Sequence, residues 1–239
     1  MLIEMPALMY KSTKRVISKL VLGPIRYRGK DGYDAERYWS DRFSRHGRSL
    51  VAAGNEGQSE GANEQAYQEA KQVFLDLCRD NGIAFESSRV LEVGPGTGFY
   101  TSLIAEVGPK DYLGVDITDR FFDEFKADWP TFRFVKFDIT RDTLTEEQDV
   151  VLMIDVLEHI TDRERLHFAL NNVVNTLAPN GSFVVGPVQS VTKRHLFYVH
   201  WWTREDVMDA IGRLVSVTSA TPFRTGELLV LKRTTDAAS

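Results

Sequence analysis

Only one cysteine, Cys78, occurs in 239 residues. This excludes a disulfide framework or a cysteine-based zinc centre within one chain and predicts a reducing, intracellular setting. No apolar run approaches the roughly 20 residues that cross a bilayer, and no N-terminal apolar region leads to a small-residue cleavage site. A cytoplasmic location is therefore expected. A basic surplus is also missing: 29 Lys and Arg stand against 34 Asp and Glu, a formal net charge of −5. Proteins that grip a phosphate backbone usually carry a clustered basic footprint, so tRNA, rRNA and DNA are not expected as partners.

What is present is an ordinary globular composition, 43% hydrophobic and 26% charged. That is enough for one α/β domain with a buried core and an attached cap. The charge is uneven. Residues 1–30 hold seven cations (Lys11, Lys14, Arg15, Lys19, Arg26, Arg28, Lys30) against Glu4, leaving 22 basic and 33 acidic residues in the remainder. With Val16, Ile17, Leu20, Val21 and Leu22 among them, residues 1–32 read as a basic amphipathic arm. It is expected to be a frayed or dimer-packing terminus, with contact to an anionic membrane surface as the alternative. Residues 33–86 read as a helical cap: Tyr33, Tyr38, Trp39 and Phe43 form an apolar stripe. Residues 53–63, with three glycines and no large apolar side chain, read as a mobile lid, and Glu64–Asp80 as an amphipathic helix.

From residue 87 onward strands and helices alternate, the pattern of a mostly parallel sheet covered on both faces. The expected strands are Arg89–Val93, Asp111–Asp116, Arg133–Asp138, Asp149–Asp155, Ser182–Pro187, Val215–Pro222 and Glu227–Lys232. Helices are expected from near Thr97, Thr118 and Asp162, and from a capping box at Thr203 through Leu214. The first strand runs directly into Gly94-Pro95-Gly96-Thr97-Gly98. Glycine belongs where backbone must turn sharply or approach a ligand closely, and such turns line the ligand crevice of open α/β sheets. A nicotinamide-binding turn wants a third glycine where Phe99 stands, so an oxidoreductase is disfavoured. Asp116 ends the second strand at the distance where a carboxylate accepts ribose hydroxyls. Asp138 ends the third strand and Ile139 follows it, where they could bond and sandwich an adenine ring. Asp155 and Val156 end the fourth strand beside them.

Taken together, Glu92-Val93-Gly94-Pro95-Gly96-Thr97-Gly98, Gly114-Val115-Asp116, Phe137-Asp138-Ile139 and Asp155-Val156-Leu157-Glu158-His159-Ile160 resemble the class I S-adenosylmethionine-dependent methyltransferases, over residues 87–232. The resemblance implies a Rossmann-like fold with a seven-stranded sheet, mostly parallel, whose last strand, here Glu227–Lys232, is antiparallel. It implies S-adenosylmethionine as cofactor, held by Glu92, Gly94, Gly96, Gly98, Asp116, Ile117, Asp138, Ile139, Asp155 and Val156. The glycine turn would approach the methionine portion, Asp116 would hold the ribose and Asp138 would lie beside the adenine.

Methyl transfer to an alcohol needs a base, and histidine titrates nearest neutrality. His159, four residues after Asp155, is the first choice, with packing or cofactor support as its other reading. His195 and His200 come next, because Lys193–Trp202 is rich in aromatic and basic groups. Tyr198, Trp201 and Trp202 there are expected to form the acceptor wall. His167 is expected on an outer helix surface. Asp155, Glu158 and His159 could also hold magnesium, although the motif does not demand a metal and none is assigned. The expectation is an O-methyltransferase acting on a small hydroxyl-bearing metabolite, a sugar or glycoside first. Its rivals are an N- or C-methyltransferase on a lipid or quinone at a membrane, and a non-catalytic cofactor-binding module.

Overall fold

A computed structural model of the chain describes residues 18–30 and 32–234. Most of the basic arm, including Lys11, Lys14 and Arg15, lies outside the described residues. The arm's remainder is a short helical segment, Ser18–Arg26, leading into a two-residue hairpin of Arg28–Gly29 and Gly32–Tyr33.

Three helices follow: α1 (Ala35–His46), α2 (Leu50–Ala53) and α3 (Glu60–Asp80). Their ends are set by local chemistry. The Asp34 side chain accepts from Arg37 N at 3.0 Å to start α1, and Ser59 accepts from Ala62 N at 3.2 Å to start α3. The glycine-rich stretch expected as a lid is instead partly helical. Its turn is cinched by buried Asn63, which accepts from Asn55 N at 2.7 Å and donates to the Asn55 and Ser59 carbonyls at 3.0 Å. The Ser59 cap lets α3 begin four residues before the expected Glu64.

The central sheet contains β1 (Arg89–Val93), β2 (Asp111–Asp116), β3 (Arg133–Lys136), β4 (Gln148–Ile154) and β5 (Leu177–Val188), all parallel. Helices α4 (Phe99–Val107), α5 (Phe122–Asp128) and α6 (Arg163–Thr176) connect them. A separate hairpin, β6 (Lys193–Leu196) and β7 (Val199–Trp201), precedes α7 (Arg204–Ile211). Two last strands, β8 (Val215–Phe223) and β9 (Gly226–Arg233), complete a seven-stranded order β8-β9-β5-β4-β1-β2-β3. As expected, the final strand is antiparallel: β9 runs against both β5 and β8.

Alternation along the buried strands sends side chains to two cores. Leu91, Val93, Val151 and Met153 face α6 and α7; Val90, Val150, Leu152 and Ile154 face α3, α4 and α5. Phe74, Leu77 and Cys78 place α3 in the second core, which Phe43 of α1 and Ala52 of α2 also join, so all three helices pack on the sheet. A third cluster, Tyr27, Tyr33, Tyr38 and Tyr198, joins the N-terminal hairpin and α1 to the β6–β7 hairpin.

The chain leaves β1 toward β2 and β3, then crosses to the other side of β1 to make β4. In open α/β sheets the ligand crevice lies outside the strand carboxyl ends at such a reversal. The candidate site therefore falls where Gly94 leaves β1 and Asp155 leaves β4.

Candidate active site

Gly94 and Gly96 both have left-handed backbone, φ 71° and 58°. A Cβ on Gly94 would stand 2.5 Å from Val156 Cγ2, so the turn closes against the end of β4 only with glycine there. The Gly96 amide donates to Asp116 Oδ2 at 3.3 Å, and Thr118 N donates to Asp116 Oδ1 at 3.0 Å. Asp116 is otherwise buried, and burial pushes its carboxyl up to about 6 against the lowering effect of those amides.

These groups line one cavity of about 530 Å3, a volume typical of small-molecule sites. Gly94, Gly96, Asp116, Ile117, Asp138, Ile139, Asp155 and Val156 all line it, whereas Gly98, expected with them, sits outside the lining against Phe125, Trp129 and Arg48. Asp138 is fixed by Thr140, whose amide and hydroxyl donate to its Oδ1 at 3.0 and 2.6 Å. Glu92 differs from expectation. It is not among the cavity-lining residues, because strand alternation turns it into the core beneath α4, where Thr101 and Tyr112 hydroxyls donate to Oε2 at 2.8 and 2.5 Å. Burial pushes the Glu92 carboxyl up to about 7 despite those bonds.

At the end of β4, Asp155 also has left-handed backbone, φ 58°. Arg224, in the β8–β9 turn, donates to its Oδ2 from Nε at 2.9 Å and from Nη2 at 2.7 Å. The same guanidinium lies 4.8 Å from the Tyr67 ring centroid. Burial raises the Asp155 carboxyl, and Arg224 opposes it. Glu158, half-buried and raised to about 8 by desolvation and by Asp155, has no partner for its buried Oε2. Among the described residues no three His, Cys, Asp or Glu side chains gather as a metal-holding group, so Asp155, Glu158 and His159 do not form one.

His159 lines the cavity. Its Nδ1 lies 2.9 Å from the Tyr198 carbonyl oxygen. A carbonyl only accepts, so Nδ1 carries the proton and the neutral ring keeps Nε2 as an acceptor. Trp39 packs edge-on against the ring at 4.8 Å between centroids, and burial pushes its pKa down to about 4.

The other two histidines and the expected acceptor wall do not reach the cavity. The Lys193–Trp202 segment closes on itself as the β6–β7 hairpin. His195 stacks on Trp201 at 4.6 Å and His200 on Trp202 at 3.9 Å. Trp202 is buried, with Nε1 donating to Ile160 O at 2.8 Å, and Tyr198 is buried against Tyr38 at 4.5 Å. Their aromatic content fills an interface, and only the Tyr198 carbonyl serves the site. The cavity wall is built instead by Tyr33, Trp39, Phe43, Tyr67 and Tyr100. The i, i+4 pair Trp39 and Phe43 was legible as a helix face; that it faces a ligand space was not.

The fold, the strand-end carboxylates and the glycine turn, with the family match below, support a class I S-adenosylmethionine-dependent methyltransferase. The cradle suits the cofactor: left-handed glycines at alternate positions remove Cβ atoms from the turn, and Asp116, held by backbone amides, keeps acceptor capacity toward the cavity. A methyltransferase-domain family model matches residues 91–183. Nodulation protein S of Bradyrhizobium diazoefficiens is 27% identical over 116 residues, 47% of this chain. That alignment spans 54% of the relative, so the chain matches about half its length. Among solved structures, the N-methyltransferase NodS from Bradyrhizobium japonicum with S-adenosyl-L-homocysteine is similar, with a TM-score of 0.57, 19% identity and coverage of 73% of this chain and 88% of that one. Magnesium protoporphyrin IX methyltransferase from Synechocystis with bound S-adenosylmethionine has a TM-score of 0.62, 18% identity and coverage of 86% and 100%. At these identities the likeness to solved structures is one of fold.

Proposed function

We propose that the chain methylates a hydroxyl group of a small, ring-bearing metabolite, with His159 as the base. The observation that carries this reading is the fixed tautomer of His159, which turns an unprotonated Nε2 toward an aromatic-walled cavity. Bound in the crevice, S-adenosylmethionine supplies an electrophilic methyl group. Asp116 would hold its ribose, Asp138 and Ile139 its adenine, and the Gly94–Gly98 turn its amino-acid portion. The aromatic faces of Trp39, Tyr33 and Tyr67 hold the acceptor ring and keep water out. As the acceptor oxygen is alkylated its proton becomes far more acidic than that of a free alcohol. A base held near 4 therefore suffices to take it, and Nε2 is unprotonated at every physiological pH.

A sugar or glycoside fits best, because flat apolar faces beside a few polar groups are what a sugar ring stacks on. A second reading, methyl transfer to an amine, draws support from the N-methyltransferase neighbour and from Asp34, Glu36 and Asp162, which line the cavity and would attract a cationic acceptor. The test is incubation with labelled S-adenosylmethionine and a panel of sugars, glycosides, phenols and amino sugars, with the product located by mass spectrometry. Label on oxygen supports the first reading; label only on nitrogen replaces it with the second.

A further inference from the structure

Beside the cavity lies a second basin of about 300 Å3 whose cations the methyl-transfer reading does not use. Among the described residues its charged lining is basic: Arg28 and Lys30 from the N-terminal hairpin and Arg194 from β6. Its aromatic lining is Tyr33 and Phe197. None of the three cations makes an ion pair among the described residues; Arg194 donates only to the Phe197 carbonyl at 3.3 Å. Three unpaired cations around one concavity are an anion site by Coulomb attraction alone.

The segment that leads into this basin is unusual in a second way. Leu20, Val21, Leu22 and Ile25 are 62%, 52%, 57% and 71% exposed. Clustered large apolar side chains on a surface mark a contact site. Charge selects which: seven of the first 30 residues are cations, whereas the rest of the chain is acidic. An anionic surface therefore attracts this end and repels the remainder, which fixes the orientation of approach.

We propose that the Ser18–Lys30 region docks on an anionic phospholipid surface, with Leu20, Val21, Leu22 and Ile25 entering the headgroup and acyl boundary and one headgroup phosphate seated between Arg28, Lys30 and Arg194. Gly29, Lys30 and Tyr33 line both the basin and the cavity, so docking sets the cavity beside the bilayer. An acceptor carried in the membrane would then reach His159 without crossing open water.

The full chain is mixed with phosphatidylcholine vesicles and with vesicles that also contain phosphatidylglycerol, then sedimented. Binding to the second kind only is expected. Arg28→Glu/Arg194→Glu and, separately, Leu22→Glu/Ile25→Glu should each weaken it by about tenfold or more, since every cation at such a surface counts and every buried apolar side chain adds. These side chains are exposed, so both variants should keep the wild-type affinity for S-adenosylhomocysteine, measured by calorimetry as the check on folding. The proposal is overturned if the chain stays in the supernatant, or if pelleting survives both double variants. It is also overturned if soluble glycerol phosphate displaces the protein while Leu22→Glu/Ile25→Glu has no effect, which would make the basin a site for free anions. The readout is vesicle binding, so its outcome is independent of which acceptor is methylated.

Discussion

His159 and Asp116 sit in one cavity but are shifted in opposite directions by the same cause. Burial disfavours whichever form is charged, so it lowers the imidazole to about 4 and raises the carboxyl to about 6. The two groups should separate in a pH profile. With Asp116 as the proposed ribose acceptor, the ionised carboxylate accepts through both oxygens and protonation turns one of them into a donor, so KM for S-adenosylmethionine should rise as pH falls through about 6. Asp116→Asn should weaken cofactor binding at every pH and abolish that limb. His159→Gln retains a polar side chain of similar reach but cannot take a proton; kcat should fall by about a hundredfold. Affinity for S-adenosylhomocysteine should hold within a factor of about three. Titration calorimetry and initial rates between pH 5 and 9 check both. A full kcat in His159→Gln would remove the base role, and a KM limb near 6 that persists in Asp116→Asn would remove the assignment of Asp116.

At the scale of elements, what was legible followed from local rules. All seven strands of the main sheet lie where alternation and turn residues put them, with ends shifted by a few residues. The β1 and β2 boundaries agree with the expected Arg89–Val93 and Asp111–Asp116. Every expected cofactor group except Glu92 and Gly98 lines the cavity, because a strand end and a glycine turn are sequence-local features. The misplaced acceptor wall has a different origin. Lys193–Trp202 and Tyr33–Phe43 are both aromatic, and sequence cannot say which faces the ligand and which packs behind it. Arg224, 69 residues from Asp155, carried no local signal at all.

The start of α7 was legible and is testable. Thr203 and Asp206 form the expected capping box, and Arg163 and Thr192 also donate to the Asp206 carboxylate, the former at 2.6 Å. Burial opposes ionisation, but these bonds outweigh it and hold Asp206 down at about 2. A folded pKa below the unfolded value contributes stability that is present above about 4 and lost as pH falls through about 2. Asp206→Asn should cost about 2 kcal/mol at neutral pH, read from urea unfolding, and flatten the loss between pH 4 and 2. An unchanged acid limb would mean that other carboxylates set it.

Over the whole molecule, the N-terminal cap, the β6–β7 hairpin and His159, the proposed base, are fastened through one aromatic cluster. Tyr38 stacks on Tyr198 and meets Tyr27, Tyr33, Trp39 and Phe197 edge-on. Two backbone contacts carry that packing to the site: the Tyr198 carbonyl fixes His159 Nδ1, and the Tyr33 hydroxyl donates to His159 O at 2.9 Å. The cofactor crevice, by contrast, hangs from β1, β2 and β4 and has no member in this cluster. Removing the central ring should therefore uncouple the two halves of the cavity. Tyr38→Ala should cost about 3 kcal/mol, as large-to-small aromatic changes in cores do. Loosening Tyr198 should also lower kcat well beyond any change in S-adenosylhomocysteine affinity. Tyr38→Phe keeps the stack and loses only a hydroxyl that accepts from Arg42 Nη1 at 3.2 Å, so it should stay within about 1 kcal/mol of wild type and restore kcat. Unfolding curves, calorimetry and rates on the two variants distinguish this from general instability. If cofactor affinity and kcat fall together in Tyr38→Ala under conditions where the protein is folded, the cluster supports the entire domain and the two halves of the cavity are not held separately.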